Sequence, residues 1–284
     1  MTPSVVVRAL LVALWLSSSG AARAEPVRRI VSLAPNLTEL TFAAGAGARI
    51  KGTVEFSDEP AAARAIPRVG DAFRVDVERI LALQPDLVLA WQSGTPRPTI
   101  ERLRALGLNV RELDTQRLAD VPRVVRELGA LAATQSTADG AAAAFENQIG
   151  ALRAQYRERE RIRVFMQVNT RPLYTINRRQ IMSELIELCG GENVFAELDG
   201  LAPQVSIEAV IARDPDVIIS TDDGERSSIS QWRRWQHVAA VRANNLYILP
   251  ANDLTRATTR LAVGASELCR VLETARKRRA AMSH

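Results

Sequence analysis

The chain has 284 residues, enough for one or two ordinary domains, with 47% hydrophobic and 24% charged residues and a formal charge of +5. That balance excludes a disordered chain, and the lack of any apolar run near 20 residues excludes a set of membrane-spanning helices. Two His and two Cys exclude most zinc ligand sets and any dense disulfide scaffold.

Residues 1–24 carry Arg8, an apolar run from Ala9 to Leu16 and a small-residue end at Ala22-Arg23-Ala24. This is the layout of a cleavable secretory signal, with cleavage expected near Ala24. The first strand is expected at Ile30–Leu33. Asn36-Leu-Thr-Glu39 reads as a capping box opening a helix that stops at Gly45-Ala-Gly47. That Gly-x-Gly does not directly follow a strand, so it reads as a helix stop and not as a dinucleotide loop. A second strand is expected at Gly52–Phe56.

A duplication then becomes visible. Val75, Glu78, Ala82, Pro85 and Asp86 recur 130 positions later as Val205, Glu208, Ala212, Pro215 and Asp216. In each copy Asp76 or Ser206 is a good N-cap, followed by helical apolar spacing. Pro85 or Pro215 stops the helix, and the residue before it is expected to be extended. The apolar run after Asp86 or Asp216 then reads as a buried parallel strand. Two copies imply two similar lobes and not a solenoid, which needs at least three units.

Further strands are expected at Asn109–Leu113, Val164–Val168 and Leu246–Leu249. Between the lobes, the Ala-rich stretch near 118–160 is expected to hold two helices. Pro122 falls in the first turn of one, and Thr137 or Asp139 starts the other. About 22 residues at 1.5 Å each give a rod of about 33 Å, long enough to bridge two lobes. His237 lies in QWRRWQHVAAV, read as a Trp-rich helix with an isolated histidine. Arg276-Lys277-Arg278-Arg279 reads as the frayed, solvated end of a terminal helix, and nucleic acid is not an expected partner. The strand and helix alternation gives an α/β class. Cys189 and Cys269 are the only cysteines. An oxidising compartment favours their bonding, and two buried thiols are the alternative.

SLAPNLTELTFAAG, GDAFRVDVERILALQPDLVLAW, ELCGGENVF and PQVSIEAVIARDPDVII resemble the cobalamin-binding branch of the helical-backbone (class III) periplasmic substrate-binding proteins. The resemblance covers nearly all of residues 28–275. It implies two Rossmann-like lobes, each with a central mostly parallel sheet, joined by a long backbone helix. The corresponding division is 25–118 for the N-terminal lobe, 119–160 for the helical linker and 161–284 for the C-terminal lobe. The resemblance also implies a disulfide between Cys189 and Cys269, and a monomer that delivers its ligand to the permease and ATPase of an ABC transporter. Glu78 and Glu208 match the two glutamates that dock on the permease, and the duplication singles out the same pair. Phe56, Trp91, Tyr174, Asp253 and Arg256 match ligand contacts, with Phe73 close to one. The sequence departs from the pattern at Ala72 and Ala202, where the branch has tryptophans.

The expected ligand is therefore cobalamin or another corrinoid, with no resident cofactor and no protein-bound metal, because a chelated metal needs no protein ligand. A ferric siderophore or haem on the same fold is the alternative. A secreted hydrolase is a distant third: carboxylates are plentiful, but there is no G-x-S-x-G, H-E-x-x-H or Cys/His arrangement.

Overall fold

A computed structural model describes residues 25–71, 73–221 and 229–282. Residues 1–24, read above as a secretory signal, and Ala72 lie outside the described residues. The first lobe contains β1 (Ile30–Ser32), α1 (Pro35–Ala43), β2 (Ile50–Thr53), α2 (Val77–Ala82), β3 (Leu87–Trp91), α3 (Arg97–Ala105) and β4 (Val110–Leu113). Two helices follow, α4 (Asp120–Leu131) and α5 (Gln135–Tyr156). The second lobe begins with β5 (Ile162–Gln167), β6 (Asn169–Thr170), β7 (Leu173–Tyr174), α6 (Ile181–Leu188), β8 (Gly191–Asn193), α7 (Ile207–Arg213) and β9 (Val217–Ser220). It ends with α8 (Ala239–Arg242), β10 (Leu246–Ile248), α9 (Ala251–Thr255) and α10 (Leu261–Met282).

Each lobe has a four-stranded parallel sheet, in the orders β2-β1-β3-β4 and β10-β9-β5-β8. Counted from the first strand of its own lobe, each sheet runs 2-1-3-4, so the duplication extends to topology. β3 and β9 are central and apolar on both faces, as parallel strands covered by helices must be.

The repeated residues have equivalent jobs. Asp76 caps α2 by accepting from the Arg79 amide at 3.0 Å, and Ser206 caps α7 by accepting from the Ala209 amide at 3.1 Å. Asp86 accepts from the amides of Arg28 and Arg29 at 2.8 and 3.0 Å, fastening the start of β1. Asp216 accepts from the Arg163 amide at 2.9 Å, fastening β5. The residue before each proline departs from expectation. Gln84 and Asp214 have positive φ, 45° and 39°. There the left-handed turn that ends the helix outweighs the steric push of the proline ring toward extended backbone.

Helix α5 has the expected 22 residues but begins at Gln135, with Thr134 as its flanking residue. The Thr134 hydroxyl donates to the Ala44 carbonyl at 2.6 Å and does not cap the helix. Ala138, Ala142, Phe145, Ile149 and Tyr156 form its buried stripe. Through it, one continuous apolar core joins Leu37 and Leu40 of the first lobe to Leu185, Ile219 and Leu268 of the second. Each sheet has a second, separate core on its other face, the C-terminal one built around Phe165, Phe195 and Trp232.

Three further expectations are corrected. β2 stops at Thr53, short of Phe56, because Phe56 takes φ 64° and turns the chain away. The Trp-rich segment is a 3-10 helix over Ile229–Arg234, with His237 exposed beyond it. Its geometry follows Trp232, which is fully buried and donates from Nε1 to Gln167 Oε1 at 2.8 Å. The basic terminus is not frayed. Arg276 is 8% exposed and donates to the Cys189 and Glu160 carbonyls. Arg278 bonds the Asn244 carbonyl and Arg279 pairs with Asp216. Cys189 and Cys269 are disulfide-bonded, tying α6 to α10 across a sequence separation of 80.

Candidate functional site

Parallel α/β sheets place ligands in the crevice beyond the carboxyl ends of their strands. In both lobes those ends open on one cleft of about 270 Å³. The first lobe lines it with Pro35 and Asn36 after β1, Trp91 and Ser93 after β3, and Thr115 and Gln116 after β4. The second contributes Arg179, Gln180 and Ile181 at the start of α6, Leu201, and Thr255, Arg256 and Ala257 at the end of α9.

Trp91 is held by its neighbours. Its indole Nε1 donates to Asp114 Oδ1 at 3.1 Å, and its amide donates to Thr95 Oγ1 at 3.0 Å. Asp114 also receives Ser93 Oγ at 2.8 Å and Gln116 Nε2 at 2.6 Å. A Cβ on Gly94 would lie 1.9 Å from the indole ring, so only glycine lets the Trp91–Thr95 turn close against it.

Arg256 reaches the cleft from the opposite lobe. Its Nη1 donates to Glu39 Oε1 at 3.0 Å, joining α9 to α1 across a sequence separation of 217. Burial pushes the Glu39 carboxyl above its ordinary value, although Arg256, the Thr258 hydroxyl and Arg260 all pull it down. A second contact between the lobes lies nearby, where the Leu118 amide donates to Glu184 Oε2 of α6 at 3.0 Å.

Of the six expected ligand contacts, the cleft brings together Trp91 and Arg256. Phe56 and Phe73 are 71% and 77% exposed and do not line it. Their two loops are tied by the Glu55 amide, which donates to the Gly70 carbonyl at 2.9 Å, beside the turn that carries Phe73. The Asp71 carboxylate closes that turn by accepting from the Phe73 and Arg74 amides, both at 2.7 Å. Tyr174 is half-buried in the β6–β7 hairpin, outside the cleft lining. Asp253 is paired with Arg260 and also lies outside it. Ala202 is exposed, and its neighbour Leu201 supplies the apolar wall.

Sequence reasoning missed Glu39 and Asn36 as site residues because it read them as a capping box. Pro35 starts the helix one residue earlier, Ala34 is the N-cap, and no side chain caps it. Asn36 instead donates to Thr115 Oγ1 at 3.3 Å, and Glu39 turns to Arg256. Pro35 at the first helical position was the local signal for that shift. Thr115, Gln116, Arg179, Gln180, Leu201 and Thr255 carry no local signal beyond their place after strands or before a helix.

Glu78 and Glu208 are exposed in the first turns of α2 and α7, away from the cleft lining. The Glu208 amide and the Ser206 hydroxyl hold the Glu208 carboxyl below its ordinary value. Among the described residues, no group of His, Cys, Asp or Glu is placed to hold a metal ion.

A profile of periplasmic binding proteins matches residues 30–252. The vitamin B12-binding protein of Vibrio parahaemolyticus serotype O3:K6 is 36% identical over 256 residues, covering 90% of this chain and 93% of that protein. The crystal structure of the periplasmic vitamin B12-binding protein BtuF of Vibrio cholerae is 34% identical, with a TM-score of 0.81 over 89% of this chain and 99% of that one. The periplasmic haem-binding protein RhuT from Roseiflexus sp. RS-1 shares the fold, with a TM-score of 0.77 at 24% identity over 87% of this chain and 99% of its own.

Proposed function

The chain belongs to the periplasmic binding protein family, and from that premise we propose that it captures cobalamin or a related corrinoid between its lobes and delivers it to an ABC importer. One observation carries the reading: the cleft sets the fixed indole of Trp91 from one lobe and the guanidinium of Arg256 from the other around a single space. An indole offers a flat face to a macrocycle, and a guanidinium offers a fork of donors to its polar rim. A corrin ring entering this open cleft meets Trp91 on one side and Arg256 on the other. Phe56, Phe73 and Tyr174 offer further aromatic faces, and Asp253, paired with Arg260, is a further ligand contact. The cargo leaves chemically unaltered, with no cofactor and no protein-bound metal.

On the same reading, residues 1–24 direct export and are removed near Ala24. The mature monomer divides into lobes 25–118 and 161–284 joined by the helical linker 119–160. Glu78 and Glu208 dock on the transmembrane permease. Their equivalent places on the two lobes suit a partner with two basic sockets related by pseudo-symmetry.

Absorbance titration of the purified protein with cyanocobalamin, hemin and a ferric siderophore tests the ligand. Saturable binding of cyanocobalamin, recovered intact, is the expected result. Hemin or the siderophore binding in its place would move the protein to the alternative cargo, and a hydrolysed product would point to an enzyme.

A further inference from the structure

Two cations line the cleft, and they differ in their surroundings. Arg179 is exposed, and no acid pairs with it among the described residues. Arg256 is held by Glu39 at 3.0 Å, and the Glu39 side chain is only 6% exposed. Behind them stands the ion pair of Arg260 with Asp253. Two acids and two bases thus make a group of zero net charge that spans both lobes, with Arg256 as its member in the cleft lining. Burial raises the Glu39 carboxyl despite its cationic neighbours, so the carboxylate is desolvated at a cost. A buried ion pair of this kind is a weak source of stability, which leaves its presence to be explained by what it does to Arg256.

We propose that Glu39 is a positioning residue that determines specificity: by neutralising and aiming Arg256, it makes the cleft favour a macrocycle edged with carboxamides over one edged with carboxylates. A guanidinium has five N–H donors, and Glu39 occupies the fork only in part. The remaining donors can meet an amide carbonyl without bringing in new charge. A ligand carboxylate at the same place would face a buried like charge in Glu39 and be disfavoured. The inference rests on the corrinoid reading above.

The test compares cyanocobalamin with the same corrinoid after its side-chain amides are hydrolysed to carboxylates, by titration calorimetry. The wild type is expected to prefer the amide form by roughly tenfold or more. In Glu39→Gln that preference should narrow by about tenfold, with the carboxylate form gaining affinity, while Glu39→Asp keeps the wild-type preference. Arg179 attracts the carboxylate form equally in each protein, so it cancels when Glu39→Gln is compared with the wild type. A Glu39→Gln protein that weakens both ligands equally, or leaves their ratio unchanged, overturns the proposal. If Glu39→Gln does not fold, Arg179→Gln decides: with that unpaired cation removed, a ratio near one overturns it. A wild type that binds neither corrinoid removes the corrinoid reading and this inference together; an unchanged ratio in a protein that binds cyanocobalamin removes only the inference.

Discussion

The two lobes share a strand order, a capped helix feeding a buried strand, and an exposed glutamate in the same turn, yet they present different chemistry to the cleft. The repeat is closest where it builds scaffold: Asp76 with Ser206, Glu78 with Glu208, Asp86 with Asp216. It diverges where the strand reaches the cleft. Trp91 ends β3, and its counterpart after β9 is the buried Thr221. The first lobe thus supplies an indole, and the second supplies Arg179 and Arg256. A duplicated frame can keep its symmetric outer features for a symmetric partner while its inner edges specialise for an asymmetric ligand.

The largest expected effect tests the symmetric side. Glu78→Ala combined with Glu208→Ala should reduce corrinoid uptake in cells to background, while cyanocobalamin affinity stays within about twofold because neither side chain lines the cleft. Uptake that persists in the double variant would end the docking assignment. Next comes an asymmetry. Only the second lobe carries the disulfide, which closes a loop across a separation of 80 residues. Cys189→Ser with Cys269→Ser should lower stability in urea unfolding by about 4.5 kcal/mol on the chain-entropy account. A loss under about 1 kcal/mol would mean that the helix packing alone holds α6 to α10.

Smaller effects probe equivalence directly. Asp86→Ala strands two backbone amides, and Asp216→Ala strands one amide and removes one partner of Arg279, which keeps Glu160 and the Arg161 carbonyl. Each should cost about 0.5–1.5 kcal/mol in the same assay, because the bonds are exposed, and a neutral result at either position would show that the strand starts are fastened differently in the two lobes. Smallest are the caps. Asp76→Ala and Ser206→Ala should each cost about 1 kcal/mol, read as a shift in urea midpoint, and a clear inequality between them would mean that one short helix depends on its lobe and not on its cap.

Features governed by local chemistry were legible in the sequence. The caps of α2 and α7, the buried strands β3 and β9 and the length of α5 follow from residue type and spacing within one turn or strand. Errors arose where a nearby or remote group changed the outcome. Pro35 moved the start of α1 and freed Glu39 for Arg256. Left-handed turns at Gln84 and Asp214 overrode the expectation set by the following proline. Carbonyls from other elements captured the basic residues of α10. The cleft was the least legible part, because Thr115, Gln116 and Gln180 meet only after both lobes have folded. Trp91 and Arg256 were found through resemblance, whereas Glu39, whose partner is 217 positions away, had no such guide.

The continuous core has a consequence for traffic at the membrane. Leu37, Phe145, Leu185 and Leu268 belong to one apolar mass, so filling the cleft has little freedom to reorient one lobe against the other. An unloaded carrier would then show the importer nearly the same face as a loaded one. Overproducing the carrier when cargo is scarce would slow import, because idle copies would occupy the gate that full ones need.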